Sequence, residues 1–196
     1  MILFEVIGWI VVDQSFLMNK LRLSIMITQV AVVGILAVGV TQVIISGGID
    51  LSGGSIIGAT AMIAMSFAQA GTNQRAVYIA QGWVDLPIFI PILVGLSVAL
   101  ICGLINGLLI AYVKLPSFIA TLGMLNVAKG LSLVIAQLKP IYFSDAPVFN
   151  TIAMGSVLGS IIPGFEIPNA VLIMFGAAII AGWVLTKTVL GRYTFA

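Results

Sequence analysis

Long apolar runs separated by short polar segments give this chain its pattern, and the run lengths predict its elements. A hydrocarbon core about 30 Å thick takes roughly 20 apolar residues in helix. Residues 25–46 reach that length, with Gln29, Thr41 and Gln42 as polar interruptions that interhelical hydrogen bonds would explain. Residues 87–112 are the clearest span, opened by Pro87 and Pro91, where a missing N–H costs least. Lys114, Leu115 and Pro116 end it. Ser117 is the expected N-cap of residues 118–138, a segment interrupted by Asn126, Lys129 and Gly130. Residues 169–185 form the last span. The first run, residues 2–12, is too short to cross and contains Glu5; residues 13–22 read as a polar connector. Residues 71–86 and 139–168 read as loops, the second holding four of the seven prolines, Asp145, Glu166 and a short surface helix.

One stretch breaks this pattern. Residues 44–58 read IISGGIDLSGGSIIG, with Asp50 between two glycine pairs and apolar runs on both sides. Non-helical backbone and a charge at membrane depth are costly unless protein or a water-filled cavity surrounds them. A glycine-broken helix pair therefore points toward a transporter rather than a simple anchor. Residues 55–70, short and rich in Ala and Met, are expected to pack within protein. Asp50 has two compatible readings: N-cap of a helix starting near Leu51, or a group on a solute path or gate together with Ser52.

Composition agrees with the pattern. The 196 residues are 61% hydrophobic and only 7% charged, whereas soluble domains carry about 25% charged residues. The fold class is all-α: a polytopic transmembrane helical bundle. Continuous rather than alternating runs argue against an outer-membrane barrel. A net charge of +2 offers no basic run for nucleic acid. With no histidine and one cysteine, Cys102, there is no metal site, no disulfide framework and no HExxH. GxxxxGK[ST] and GxSxG are absent, and the glycines of 47–54 do not follow GxGxxG spacing, so no cofactor and no covalent enzyme chemistry is expected.

Gly95, Ala99, Gly103 and Gly107 recur every four residues, and Gly54–Gly58 makes a second such pair. Small residues at this spacing let membrane helices approach closely. Asn106, beside the stripe, is expected to bond a neighbouring helix or, in the functional reading, to face the pathway. Lys129 would cost roughly 2.5–3.5 kcal/mol at a helix centre and is expected to snorkel. Trp9, Trp83 and Trp183 suit membrane interfaces. Lys114, Lys187 and Arg192 would share one side, and Lys20, Arg75 and Lys139 the other. These residues alone leave open an ion-coupled transporter and a non-transport scaffold.

Residues 32–58 (VVGILAVGVTQVIISGGIDLSGGSIIG), 103–124 (GLINGLLIAYVKLPSFIATLGM) and 190–196 (LGRYTFA) together resemble the permease subunit of bacterial ribose/galactose/xylose-type sugar ABC importers. The resemblance implies translocation of a monosaccharide across the inner membrane by a multi-pass subunit that pairs with a second permease copy. It implies a periplasmic sugar-binding protein and a separate cytoplasmic ATP-binding subunit, so that this chain is not itself an enzyme. Gly191 and Arg192 would begin the ATPase-facing loop. Lys114 would then lie inside, and residues 71–86 and 139–168 outside. Lys20 and Arg22 fall outside too, against the charge rule. Family members usually carry Val where Gly53 stands, and they run to about twice this length. The chain therefore reads as one transmembrane permease domain, residues 1–196, corresponding to the N-terminal part.

Overall fold

The computed structural model describes residues 2–12, 19–161 and 167–195. The elements are α1 (Ile2–Ile7, continued by a π-helical turn Gly8–Val12), α2 (Lys20–Ile45), α3 (Gly53–Phe67), α4 (Phe89–Ala111), α5 (Ser117–Ile135), α6 (Pro147–Met154), α7 (Val157–Ile161), α8 (Asn169–Lys187) and α9 (Val189–Thr194). The described residues contain helix, turn and loop and no strand. Four helices, α2, α4, α5 and α8, are long and apolar enough to cross a membrane. At 15 residues α3 is about 22 Å long, short of a full crossing.

Two packing units result. α3, α4 and α5 pack on one another, and α2 packs on α8. The first unit is built on small side chains at helical spacing: Ala59 and Ala64 of α3, Gly95 of α4, Ala120 and Ala128 of α5. A Cβ at Gly95 would lie 3.1 Å from Ala64 Cβ and 3.4 Å from the Thr60 carbonyl, so α3 and α4 touch where glycine removes the obstacle. In the second unit, a Cβ at Gly34 would collide with Met174 Sδ. Most large apolar side chains point outward, as a lipid solvent permits.

The ends of the bundle are fixed by hydrogen bonds. The break after α2 meets the start of α5 through Ile49 N–H and Ser117 Oγ (3.1 Å). At the other end Tyr78 Oη donates to Ile135 O (2.9 Å) and Lys139 Nζ lies 3.4 Å from Ala76 O. Phe67, Tyr78 and Trp83 stack there, with Phe67 and Tyr78 centroids 4.7 Å apart. Burial pushes the Tyr78 phenol up from its ordinary value. α8 starts at this second end, where Asn169 N–H bonds Gly155 O (2.8 Å), and leads to α9 at the first.

Several expectations change. Residues 117–135 form one uninterrupted helix, because Asn126 donates to its own Leu122 carbonyl (3.2 Å) and neither Lys129 nor Gly130 opens the backbone. Ser117 is the first helical residue rather than the cap; its hydroxyl serves Ile49 instead. Segment 139–161 holds a 3-10 turn (Phe143–Asp145) and two short α-helices, where a single short helix is the expectation. Thr41 bonds its own Ala37 carbonyl, and Gln29 and Gln42 make no side-chain hydrogen bond among the described residues. Gln29 and Thr41 are exposed and Gln42 is half-buried. Residues 13–18 of the connector, and Glu166, lie outside the described residues.

Candidate functional site: the broken helix and its polar staple

The break is built from local rules first. Ser46 ends α2, Gly47 adopts φ +75°, and two bonds close the end: Gly47 N–H to Ile44 O and Gly48 N–H to Val43 O, each 2.9 Å. This is a Schellman cap, and the left-handed position takes glycine without strain. Asp50 then forms a turn of its own. Its Oδ1 accepts from Ser52 N–H (2.7 Å) and Ser52 Oγ–H (2.6 Å). α3 begins one residue later, and its first bond runs from Ile56 N–H to Ser52 O (2.9 Å). The N-cap position is thus Ser52. Asp50 is not the cap; it lies two residues earlier because its carboxylate fixes the Asx turn that presents Ser52.

Tertiary contacts then staple the break to two helices. Thr121 Oγ1 accepts from Leu51 N–H (3.2 Å), and its single proton has Ser117 O (2.8 Å) and Ile49 O (3.2 Å) as acceptors. From α4, Asn106 Nδ2 donates to Ser52 Oγ (3.1 Å). Ser52 is fully buried, Asn106 and Thr121 nearly so, and Asp50 is half-buried. In the non-helical segment 49–52, the N–H groups of Ile49, Leu51 and Ser52 and the carbonyls of Ile49 and Ser52 thus have partners, in the direction membrane depth demands. Asp50 has no ion-pair partner among the described residues. Asn106 Oδ1 and Thr60 Oγ1 are the buried side-chain polar atoms left unpartnered there.

The structure brings Asp50, Ser52 and Asn106 into one hydrogen-bonded chain. It does not gather the small residues into one seam. Gly95 is buried against α3 and Ala99 is half-buried, whereas a Cβ at Gly54, Gly58, Gly103 or Gly107 would meet nothing within 4 Å. Among the described residues no other helix packs closely at those four positions, which are exposed on α3 (Gly54, Gly58) and α4 (Gly103, Gly107). Gly191 is buried at the α8–α9 corner, where a Cβ would collide with the Leu185 carbonyl, and Arg192 beside it is exposed. The Thr188 hydroxyl caps α9 by accepting Gly191 N–H (3.4 Å). Sequence reasoning missed Ser117 and Thr121 as partners of the break. Their signal was two hydroxyls one helical turn apart just after Pro116. No group of metal-ligating side chains occurs among the described residues.

Comparison with known proteins gives this geometry a family. Residues 22–196 match the family described as branched-chain amino acid transport system / permease component. The chain belongs to that permease family. It is 36% identical over 171 residues to the ribose import permease of Haemophilus influenzae, covering 86% of this chain and 46% of that protein. It is 34% identical over 189 residues to the galactose/methyl galactoside import permease of Escherichia coli, covering 94% and 54%. The fructose import permease of Rhizobium meliloti is 31% identical over 183 residues, covering 91% and 46%. The chain spans about half the length of the relatives it matches. No solved structure matches it. The family description is that of a transport-system permease component, and four helices of this chain are long and apolar enough to cross a membrane.

Proposed function

We propose that this chain acts within the transmembrane permease domain of an ABC importer that carries a monosaccharide across the inner membrane. The family description speaks of branched-chain amino acids, yet the relatives named above import ribose, galactose or methyl galactoside, and fructose. Their shared cargo class supports a sugar. The observation that carries the reading is the braced break: a half-buried carboxylate, Asp50, in non-helical backbone between two apolar helices, tied through Ser52 to Asn106. Such elements suit a pathway or gate that must rearrange without exposing bare backbone to lipid.

In this reading the chain supplies the N-terminal part of a longer domain. Asp50, Ser52 and Asn106 line or gate the path. A periplasmic sugar-binding protein delivers cargo, and a separate cytoplasmic ATP-binding subunit drives the cycle, with Gly191 and Arg192 opening the segment that faces it. The α9 end lies inside and residues 71–86 and 139–168 outside. Gly54, Gly58, Gly103 and Gly107 serve contacts with the remaining helices or a second permease copy. The test is uptake of labelled ribose, galactose and fructose by cells producing the complete importer. ATP-dependent uptake of one sugar, lost in Asp50→Ala, is the expected result. Uptake that persists without the ATP-binding subunit, or normal uptake and expression in Asp50→Ala, overturns the reading.

A further inference from the structure

The end of the bundle remote from the break holds a cleft of about 680 Å³. That volume lies in the range typical of small-molecule sites. One wall is the segment following α3, with Gln69, Asn73 and Arg75; the other follows α5, with Lys139, Tyr142 and Asp145. Four of its polar side chains share one property. Gln69, Asn73, Lys139 and Asp145 each spend one polar atom or proton on holding the wall and keep another in reserve.

Gln69 is only 2% exposed. Its Oε1 accepts Val77 N–H at 2.8 Å, which fixes the amide, and its Nε2 has no acceptor among the described residues. A buried amide so oriented offers a fixed pair of donors. Asn73 Oδ1 accepts Arg75 N–H (3.0 Å), which leaves its NH₂. Asp145 Oδ2 accepts Tyr142 N–H (3.0 Å), which leaves Oδ1. Lys139 Nζ uses one of its protons at most on Ala76 O (3.4 Å). The exposed Arg75 guanidinium has no partner among the described residues. The wall itself is braced by the Phe67–Tyr78–Trp83 stack and the Tyr78–Ile135 bond.

The cleft thus presents two held amide donors, Gln69 and Asn73, two cationic donors, Arg75 and Lys139, and one carboxylate acceptor. A simple anion would answer the donors but meet the Asp145 charge. A simple cation would face Arg75 and Lys139. A compact ring of hydroxyls answers both, since each hydroxyl accepts twice and donates once. We propose that this cleft binds a neutral monosaccharide, with Gln69 Nε2, Asn73 Nδ2, Arg75 and Lys139 donating to ring and hydroxyl oxygens and Asp145 Oδ1 accepting from a hydroxyl. The choice of a sugar over other polyols rests on the permease reading. The site is separate from the Asp50 break and lies at the opposite mouth of the bundle. Fixed donors reduce the ordering cost of binding, while the open mouth keeps affinity low, as a transit site requires.

The test uses the full chain in lipid nanodiscs, with D-ribose, D-galactose and D-fructose as separate probes and saturation-transfer NMR as readout. At least one sugar should bind saturably with Kd of the order of 1 mM. Arg75→Ala and Asp145→Asn should each weaken binding about tenfold, and inorganic phosphate should not compete. Arg75 is exposed and Asp145→Asn keeps the acceptor for Tyr142, so both variants should unfold at the wild-type temperature, which is checked in parallel. Absence of saturable binding by all three sugars overturns the proposal. So does binding that both variants leave unchanged, or displacement of the sugar by phosphate. Sugar bound by the chain but never taken up by the complete importer would instead refute the permease reading and leave the cleft standing.

Discussion

Replacing Ser52 by alanine removes one oxygen and strands two neighbours. Ser52 Oγ donates to Asp50 Oδ1 at 2.6 Å and accepts from Asn106 Nδ2 at 3.1 Å, in a fully buried position. The bond to the carboxylate is short and charge-assisted, a class roughly twice as strong as neutral bonds. Asn106 Oδ1 already lacks a partner, so the variant leaves the whole buried amide unpaired. An unsatisfied buried group costs about 1–3 kcal/mol, and interhelical bonds in membranes average about 0.6 kcal/mol with a maximum near 1.7. Together these give a loss of about 2 kcal/mol for Ser52→Ala, roughly a thirtyfold change in the folding equilibrium. Asn106→Leu behaves differently, because it removes the orphaned oxygen along with the donor and leaves the Ser52–Asp50 bond intact. It should cost under about 1 kcal/mol. The double variant should be more stable than Ser52→Ala alone, since no stranded amide remains. Reversible unfolding in detergent micelles, run as a double-mutant cycle, measures all three. Ser52→Ala within about 0.5 kcal/mol of wild type, or Asn106→Leu as costly as Ser52→Ala, refutes the staple.

Two further predictions concern packing and pH. Gly95→Leu should destabilise the isolated chain by about 1–3 kcal/mol, because the new side chain must part α3 from α4. Gly103→Leu, facing open space, should be neutral or gain up to about 1 kcal/mol of helix propensity; equal effects in thermal melts would contradict the observed faces. Tyr78→Phe keeps the aromatic stack but loses the bond to Ile135 O, a cost of about 0.5–1.5 kcal/mol. Burial raises the Tyr78 pKa, so the neutral phenol is the form that the fold favours. Its contribution is complete below about pH 10 and is lost as pH rises through the folded value. Wild type should therefore show an alkaline loss of stability that Tyr78→Phe lacks, read as unfolding midpoints across that range.

The residues of the break were legible in sequence to an unusual depth. Asp50, Ser52 and Asn106 stood out as polar groups in apolar surroundings, and they do meet. Ser117 and Thr121 did not stand out, because hydroxyls are common at helix starts and their partner is the backbone 68–72 residues away. Asp50 was misplaced by two positions, since an Asx turn and an N-cap look alike in a sequence. The sequence pattern interrupts α5 at Lys129 and Gly130, yet both are exposed on its surface and leave the helix continuous.

By itself the sequence determined the crossing helices, because the length of an apolar run is measured directly against the thickness of lipid. It also determined the break, because two adjacent glycines and a turn-forming aspartate act within a few residues. Only the tertiary structure decided which polar atoms find partners and which glycines are packed. Gly95 and Gly103 share one four-residue repeat, but α3 lies against one and nothing among the described residues against the other. Periodicity fixes the angle at which a side chain leaves its helix; the path of the neighbouring helix fixes what that side chain meets.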